Sequence, residues 1–209
     1  MKYVYEFIGT FFLVLTIGMT VIHPNNTVAA PLAIGAILTA FVFAGGHVSG
    51  AHYNPAVSLA AFLRKLLTFP QLIFYWIAQL IAGVAAAYLT ILLKGHPSDS
   101  PIDLHIGYAL AVEFLFAFAL CFVVLNAAVA RETSGNSYYG LAIGFTVLAG
   151  AYAVGAISGG AFNPAVALGI CIMKLIEWSN LWIFIVANLI GGACAAWLFN
   201  ASHPYNKTV

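Results

Sequence analysis

The chain has 209 residues, of which 63% are hydrophobic and 6% charged, with a mean hydropathy of +1.01. A soluble domain of that length could not cover its surface with so few polar groups, so the sequence reads as an integral membrane protein. Its net charge of +1, scattered along the chain and not gathered in runs, argues against a nucleic-acid binder and against any strongly acidic or basic partner surface.

Taken in order, the first apolar segment covers residues 3–22. It carries a single Lys2 before it and Glu6 inside it, and so reads as a retained span and not as a cleaved leader. A second apolar segment, 29–44, runs into Gly45, Gly46 and His47. Then comes Ser49-Gly50-Ala51-His52-Tyr53-Asn54-Pro55-Ala56-Val57. Asn before Pro starts a helix: the Asn side chain caps free backbone N–H groups, and Pro at the first helical position gives up a donor that had no partner. The apolar run that follows stops at Arg64 and Lys65. About ten residues at roughly 1.5 Å each cross only half of a hydrocarbon core about 30 Å thick, so this is a half-helix.

Further apolar segments fall at 69–93, 105–130, 138–157 and 181–199. Between the last two, Ser158-Gly159-Gly160-Ala161-Phe162-Asn163-Pro164-Ala165-Val166 repeats the earlier stretch, and its helix is stopped by Lys174. The offset between the two Asn residues is 163 − 54 = 109. Other correspondences extend the repeat: Glu6-Phe7 with Glu113-Phe114, Ile73-Phe74 with Ile183-Phe184, and Gln79 to Gly83 with Asn188 to Gly192. The expectation is an all-α membrane protein of six spans and two half-helices, forming one domain over 1–209 from repeats of approximately 1–100 and 101–209.

With three spans per half, the second repeat enters the membrane inverted, so the half-helices come from opposite faces and meet at the midplane. Their N-termini, each worth about half a positive elementary charge, point at one another there. Irregular backbone at that depth survives only where protein buries it or water solvates it, which a pore between the two segments provides. Six spans put both termini on one side. That side holds Lys2, Arg64, Lys65, Arg131 and Lys207 against Lys94 and Lys174 on the other, which predicts cytoplasmic termini. Small residues at Gly83, Gly140, Gly144, Gly191 and Gly192 read as ordinary close packing of membrane helices. Cys121, Cys171 and Cys194 lie in apolar segments without metal-ligand spacing, and His47 and His52 have no third ligand in view, so neither metal nor cofactor is expected.

Two Asn-Pro-Ala motifs, each preceded by Ser-Gly and set in inverted three-span repeats, resemble the aquaporin or major intrinsic protein family over essentially the whole chain. The resemblance implies a six-helix bundle with two half-helices, a homotetramer in the lipid bilayer with one pore per subunit, and a passive channel that excludes ions and protons. It assigns Asn54, Pro55, Ala56, Asn163, Pro164 and Ala165 to the pore centre. The carbonyls of Gly50, Ala51, His52 and Tyr53, and of Gly159, Gly160, Ala161 and Phe162, become acceptors along the path. Each Asn oxygen is expected to cap while its nitrogen stays free. Such donors and acceptors replace the hydrogen bonds a water molecule loses on entering. Glu6 and Glu113, costly in hydrocarbon, are implied to hold the re-entrant loops, with His47 placed in the first loop.

The outer constriction of the family corresponds here to Ile34, Ala151, Gly160 and Val166. Water-selective members carry Arg where this chain has Val166. A wide, apolar mouth follows, suited to ammonia, hydrogen peroxide, urea or small alcohols besides water. Val166-Ala167 in place of Arg-Asp argues against a dedicated glycerol channel. A plasma or inner membrane is the expected location. The rival readings are a secondary transporter, which needs coupling charges at the midplane, and a non-conducting structural membrane protein. A membrane enzyme finds no GxSxG, HExxH or Cys-His cluster in the sequence.

Overall fold

The computed structural model describes residues 1–22, 29–97 and 101–204. Lys207, counted above among the charges on the side of the termini, lies outside these. Among the described residues all regular structure is helical: α1 (Lys2–Val21), α2 (Ala30–Ser49), α3 (Pro55–Leu63), α4 (Phe69–Lys94), α5 (Ile106–Val124), α6 (Tyr139–Ser158), α7 (Pro164–Ile172) and α8 (Leu181–Ser202). Six helices are long and apolar enough to cross a membrane. The other two, α3 and α7, have nine residues each. At about 1.5 Å per residue they reach about 14 Å, half of the hydrocarbon thickness.

Helix starts and stops follow the side chains. Asn54 and Asn163 adopt extended backbone at the N-caps of α3 and α7, with Pro directly after. Thr68 and Gln71 close a reciprocal capping box at the start of α4. Helix α2 runs to Ser49, five residues past the apolar segment that predicts it. Gly45 and Gly46 remain helical there because the Tyr53 ring packs against Gly45, its hydroxyl donating to the Phe41 carbonyl at 2.9 Å. After Val124 the chain widens into a π-helical turn, Leu125–Val129. The carbonyls it leaves without helical partners are taken by side chains: Thr133 Oγ1 donates to Asn126 O at 2.7 Å, and Asn136 Nδ2 to Ala127 O at 2.7 Å.

The spans pack in pairs that repeat across the halves: α1 on α4, α5 on α8, and α2 on α6. Two glycines set the depth of the half-helices. A Cβ on Gly83 would lie 2.7 Å from the Ala165 carbonyl oxygen, and one on Gly192 would lie 2.7 Å from that of Ala56. Each half-helix start is therefore pressed against a span of the other half, a more specific role than the generic packing the sequence suggests. Lys94 Nζ donates to the carbonyls of Met19 and Ile22, closing the end of α1. Arg64, after α3, donates to Asn200 Oδ1 at 3.0 Å and to the His203 carbonyl at 2.8 Å, with its guanidinium over the Phe199 ring.

Candidate pore

The chain segments entering α3 and α7 reverse direction through left-handed backbone. Gly50 and Gly159 end α2 and α6 at φ of +86° and +87°. Ala51, Tyr53, Gly160 and Phe162 follow with φ of 51°, 51°, 65° and 49°. Such conformations leave N–H groups without helical or sheet partners, and a buried donor left unpaired costs about 1–3 kcal/mol. A buried carboxylate answers this need in each loop. Glu6 accepts from Ser49 Oγ at 2.7 Å, His52 N at 2.9 Å, Tyr53 N at 2.7 Å and Gln79 Nε2 at 2.8 Å. Glu113 accepts from Ser158 Oγ at 2.7 Å, Ala161 N at 2.9 Å, Phe162 N at 2.7 Å and Asn188 Nδ2 at 2.9 Å. Ser49 and Ser158 in turn accept from Ala51 N and Gly160 N, both at 3.1 Å.

His47 is not part of this support. It lies exposed in the last turn of α2, and no hydrogen bond links it to Glu6 among the described residues. The fourth donors are instead Gln79 and Asn188, residues that the repeat alignment pairs without revealing their role. An amide at both aligned positions, on spans with little other polar content, was the available signal.

The two asparagines bind the half-helices to each other. Asn54 Oδ1 accepts from Ala56 N at 2.8 Å, while Asn54 Nδ2 donates to Phe162 O at 2.9 Å. Asn163 Oδ1 accepts from Ala165 N at 2.9 Å, while Asn163 Nδ2 donates to Tyr53 O at 2.9 Å. The expectation of a free nitrogen needs correcting: one N–H of each amide is bonded to the opposite loop, and a second remains. Likewise the Tyr53 and Phe162 carbonyls each have one lone pair engaged. The oxygens are satisfied by backbone N–H groups, so neither amide can turn over without losing both bonds.

Asn54 and Asn163 line a narrow void of about 60 Å3 together with Ile34, Ala151, Gly160 and Val166. At roughly 10–15 Å3 of such volume per water, it has room for about four to six water molecules. Gly50 and Phe162 are absent from its lining, whereas Ala51, His52, Tyr53, Gly159, Gly160 and Ala161 take part. Among the described residues the lining contains no Asp, Glu, Lys or Arg. Leu13, Ile17 and Val21 of α1 complete the wall. Their spacing of four places them on one helix face, a signal that marks a face but not what it faces. At the end near Lys2, the void opens into a vestibule of about 960 Å3 bordered by His47, Arg131, Asn136 and Tyr139.

The first loop carries bonds that the second lacks. His52 Nδ1 and Ser58 Oγ are 3.1 Å apart, and Gln79 Nε2 also donates to Ser58 at 2.9 Å. Tyr75 donates its hydroxyl to Ser49 O at 2.6 Å, and Trp76 Nε1 donates to Pro55 O at 2.9 Å.

Residues 1–199 match the family Major intrinsic protein. Aquaporin NIP3-1 of Arabidopsis thaliana is 33% identical over 233 residues, covering 99% of this chain and 69% of that protein. Aquaporin TIP1-2 of Musa acuminata is 37% identical over 182 residues, covering 85% of this chain and 72% of that protein. The solved structure of the aquaglyceroporin from Plasmodium falciparum shares the fold, with a TM-score of 0.79 at 20% identity over 95% of this chain and 94% of that one.

Proposed function

The chain belongs to the major intrinsic protein family, and on that premise we propose that it conducts ammonia, hydrogen peroxide, urea or small alcohols along with water, while excluding ions and protons. The family is one of passive channels for water and small solutes and not of enzymes, so the protein is an integral, multi-pass membrane channel.

The observation that carries the finer reading is the reciprocal pair of amide-to-carbonyl bonds, Asn54 to Phe162 and Asn163 to Tyr53, which fixes two helix N-termini across an uncharged void. Positive helix ends meeting there repel cations, and a water between them is turned to donate outward, which interrupts a proton wire. The carbonyls of Ala51, His52 and Tyr53 and of Gly159, Gly160 and Ala161 supply acceptors on either side. Ile34, Ala151, Gly160 and Val166 form an outer ring that is wide and apolar. The two inverted halves, approximately 1–100 and 101–209, act as one channel domain, assembled as a homotetramer in the lipid bilayer. Both termini face the cytoplasm, in a plasma or inner membrane. With Glu6 and Glu113 each occupied by four donors, no coupling charge remains at the midplane among the described residues to favour a transporter.

Stopped-flow swelling of proteoliposomes tests this, with water, ammonia, urea and glycerol compared side by side. Flux linear in concentration and without proton current is the expected result. A current that scales with solute flux, or saturation at low concentration, would refute the channel mechanism.

A further inference from the structure

The offset of 109 residues that takes Asn54 to Asn163 also takes Val57 to Val166 and Ile34 to Ile143. Ile34 and Val166 stand in the outer ring. Their partners Ile143 and Val57 stand at the opposite end, where the narrow void meets the vestibule. Four residues line both spaces: His52, Val57, Val124 and Ile143. They come from the first re-entrant loop, α3, the end of α5 and the start of α6, and so surround the junction from four sides.

The two rings share an Ile and a Val and differ in the remaining pair. Ala151 and Gly160 complete the outer ring with a single methyl group between them. A Cβ built on Gly160 would lie 3.5 Å from the Ala151 Cα, so these two residues pack on one another as a flat wall. Val124 and the imidazole of His52 complete the inner ring. That imidazole is fixed in place: its Nδ1 faces Ser58 Oγ at 3.1 Å, its ring lies 5.0 Å from the Tyr75 ring, and its Nε2 sits over Gly50.

We propose that solute size is selected at this inner neck of His52, Val57, Val124 and Ile143, and not at the outer ring. The proposal rests on the channel reading above and assigns its selectivity to a different place. Three aliphatic walls and one polar side chain suit small uncharged solutes that move in file with water. Solutes that clear the outer ring are stopped at the neck.

Ile34→Ala and Ile143→Ala form a matched pair, deleting the same atoms from repeat partners that are both buried. Permeabilities to water, urea and glycerol are measured for each in proteoliposomes. Ile143→Ala should raise the glycerol-to-water ratio about tenfold, equivalent to about 1.4 kcal/mol off the barrier. Ile34→Ala should change it by less, within about twofold by the same scale. Val124→Ala, at a half-buried position, should repeat the inner effect, and Val124→Met should lower the ratio. Glycerol permeability itself, corrected for protein-free liposomes, should rise with the ratio, whereas loss of folded channel lowers it, so the widened variants report on the neck itself. A larger rise with Ile34→Ala, equal rises at both ends, or no rise at the inner end would overturn the placement. Absence of water flux in the unaltered protein would overturn both this inference and the channel reading, whereas normal water flux with an insensitive neck refutes the inference alone.

Discussion

The two re-entrant loops share a skeleton and differ in how they are fastened to their surroundings. Both have Ser, a left-handed Gly, a carboxylate with four donors and a capping Asn. Around the first loop stand His52, Tyr53, Ser58, Tyr75 and Trp76, which contribute hydrogen bonds. In the register that pairs Gln79 with Asn188, 109 residues on, stand Ala161, Phe162, Ala167, Phe184 and Ile185, whose side chains carry no hydrogen-bonding group. The first loop also contains more strain, since Ala51 occupies the left-handed position that Gly160 takes in the second. Left-handed backbone at a residue other than Gly costs about 1–2 kcal/mol. Buried hydrogen bonds contribute about 0.5–1.5 kcal/mol each, so several of them outweigh one strained alanine. The carboxylate is thus what any re-entrant backbone at this depth requires, and the additional polar bonds are what distinguishes the loop beside the vestibule.

Removing the carboxylates is the strongest way to break this comparison. Glu113→Ala leaves four buried donors unpaired, at about 1–3 kcal/mol each, which rivals the whole stability of a domain. Little folded protein should survive in detergent by size-exclusion chromatography. Glu6→Ala should give a reduced but measurable folded fraction, because Ser58, Tyr75 and Trp76 still hold the first loop. If Glu6→Ala were the more damaging, the extra bonds would be contributing nothing.

Val166→Arg exploits the apolar surroundings of the second loop. It brings a fixed charge and up to five donors to the flat wall of Ala151 and Gly160. Urea permeability should fall about tenfold, a barrier increase of about 1.4 kcal/mol, while water permeability holds. Equal loss of both in a folded protein would mean that the Arg plugs the path.

Asn163→Asp keeps the cap oxygen for Ala165 N but removes the donor to Tyr53 O and adds a negative charge between the helix ends. Cation conductance should rise from background in planar bilayers, and Asn54→Asp should match it, since the two bonds are reciprocal. A difference between the two would show that the loops are electrically unequal as well as unequally fastened.

The smallest effect belongs to Tyr75→Phe, which converts one fastening of the first loop into its counterpart in the second. Loss of the bond to Ser49 O should lower stability by about 1 kcal/mol, read as a modest drop in melting temperature. Phe184→Tyr should give no matching gain unless its hydroxyl finds a carbonyl.

Much of this architecture is legible in the sequence because its signals are local. Asn-Pro announces each half-helix, the charges at Arg64 and Lys174 end the apolar runs, and the duplicated motif implies two segments in opposition. What was not legible depends on contacts between residues far apart in the chain. Nothing local to Gln79 or Asn188 tells that its amide reaches a carboxylate 73 or 75 residues away. His47 lies close to the loop in sequence, yet the helix carries it to the surface, because Tyr53 packing on Gly45 keeps α2 intact to Ser49. The asparagine nitrogens could be assigned as donors, but their partners belong to the other half and follow only from the assembled fold.

The contact between Gly192 and the Ala56 carbonyl has a consequence for how the protein is made. The first loop leaves the ribosome 192 − 56 = 136 residues before the glycine against which its half-helix rests. At a synthesis rate of about 5–20 residues per second, that is a wait of about 7–27 seconds. For the first 162 − 54 = 108 residues of that synthesis Asn54 also lacks the Phe162 carbonyl. The bonds made within the first half, from Glu6, Gln79, Ser58, Tyr75 and Trp76, are the ones available to hold the re-entrant segment while it waits. The second loop emerges after its partner is already in place and has no such interval to survive.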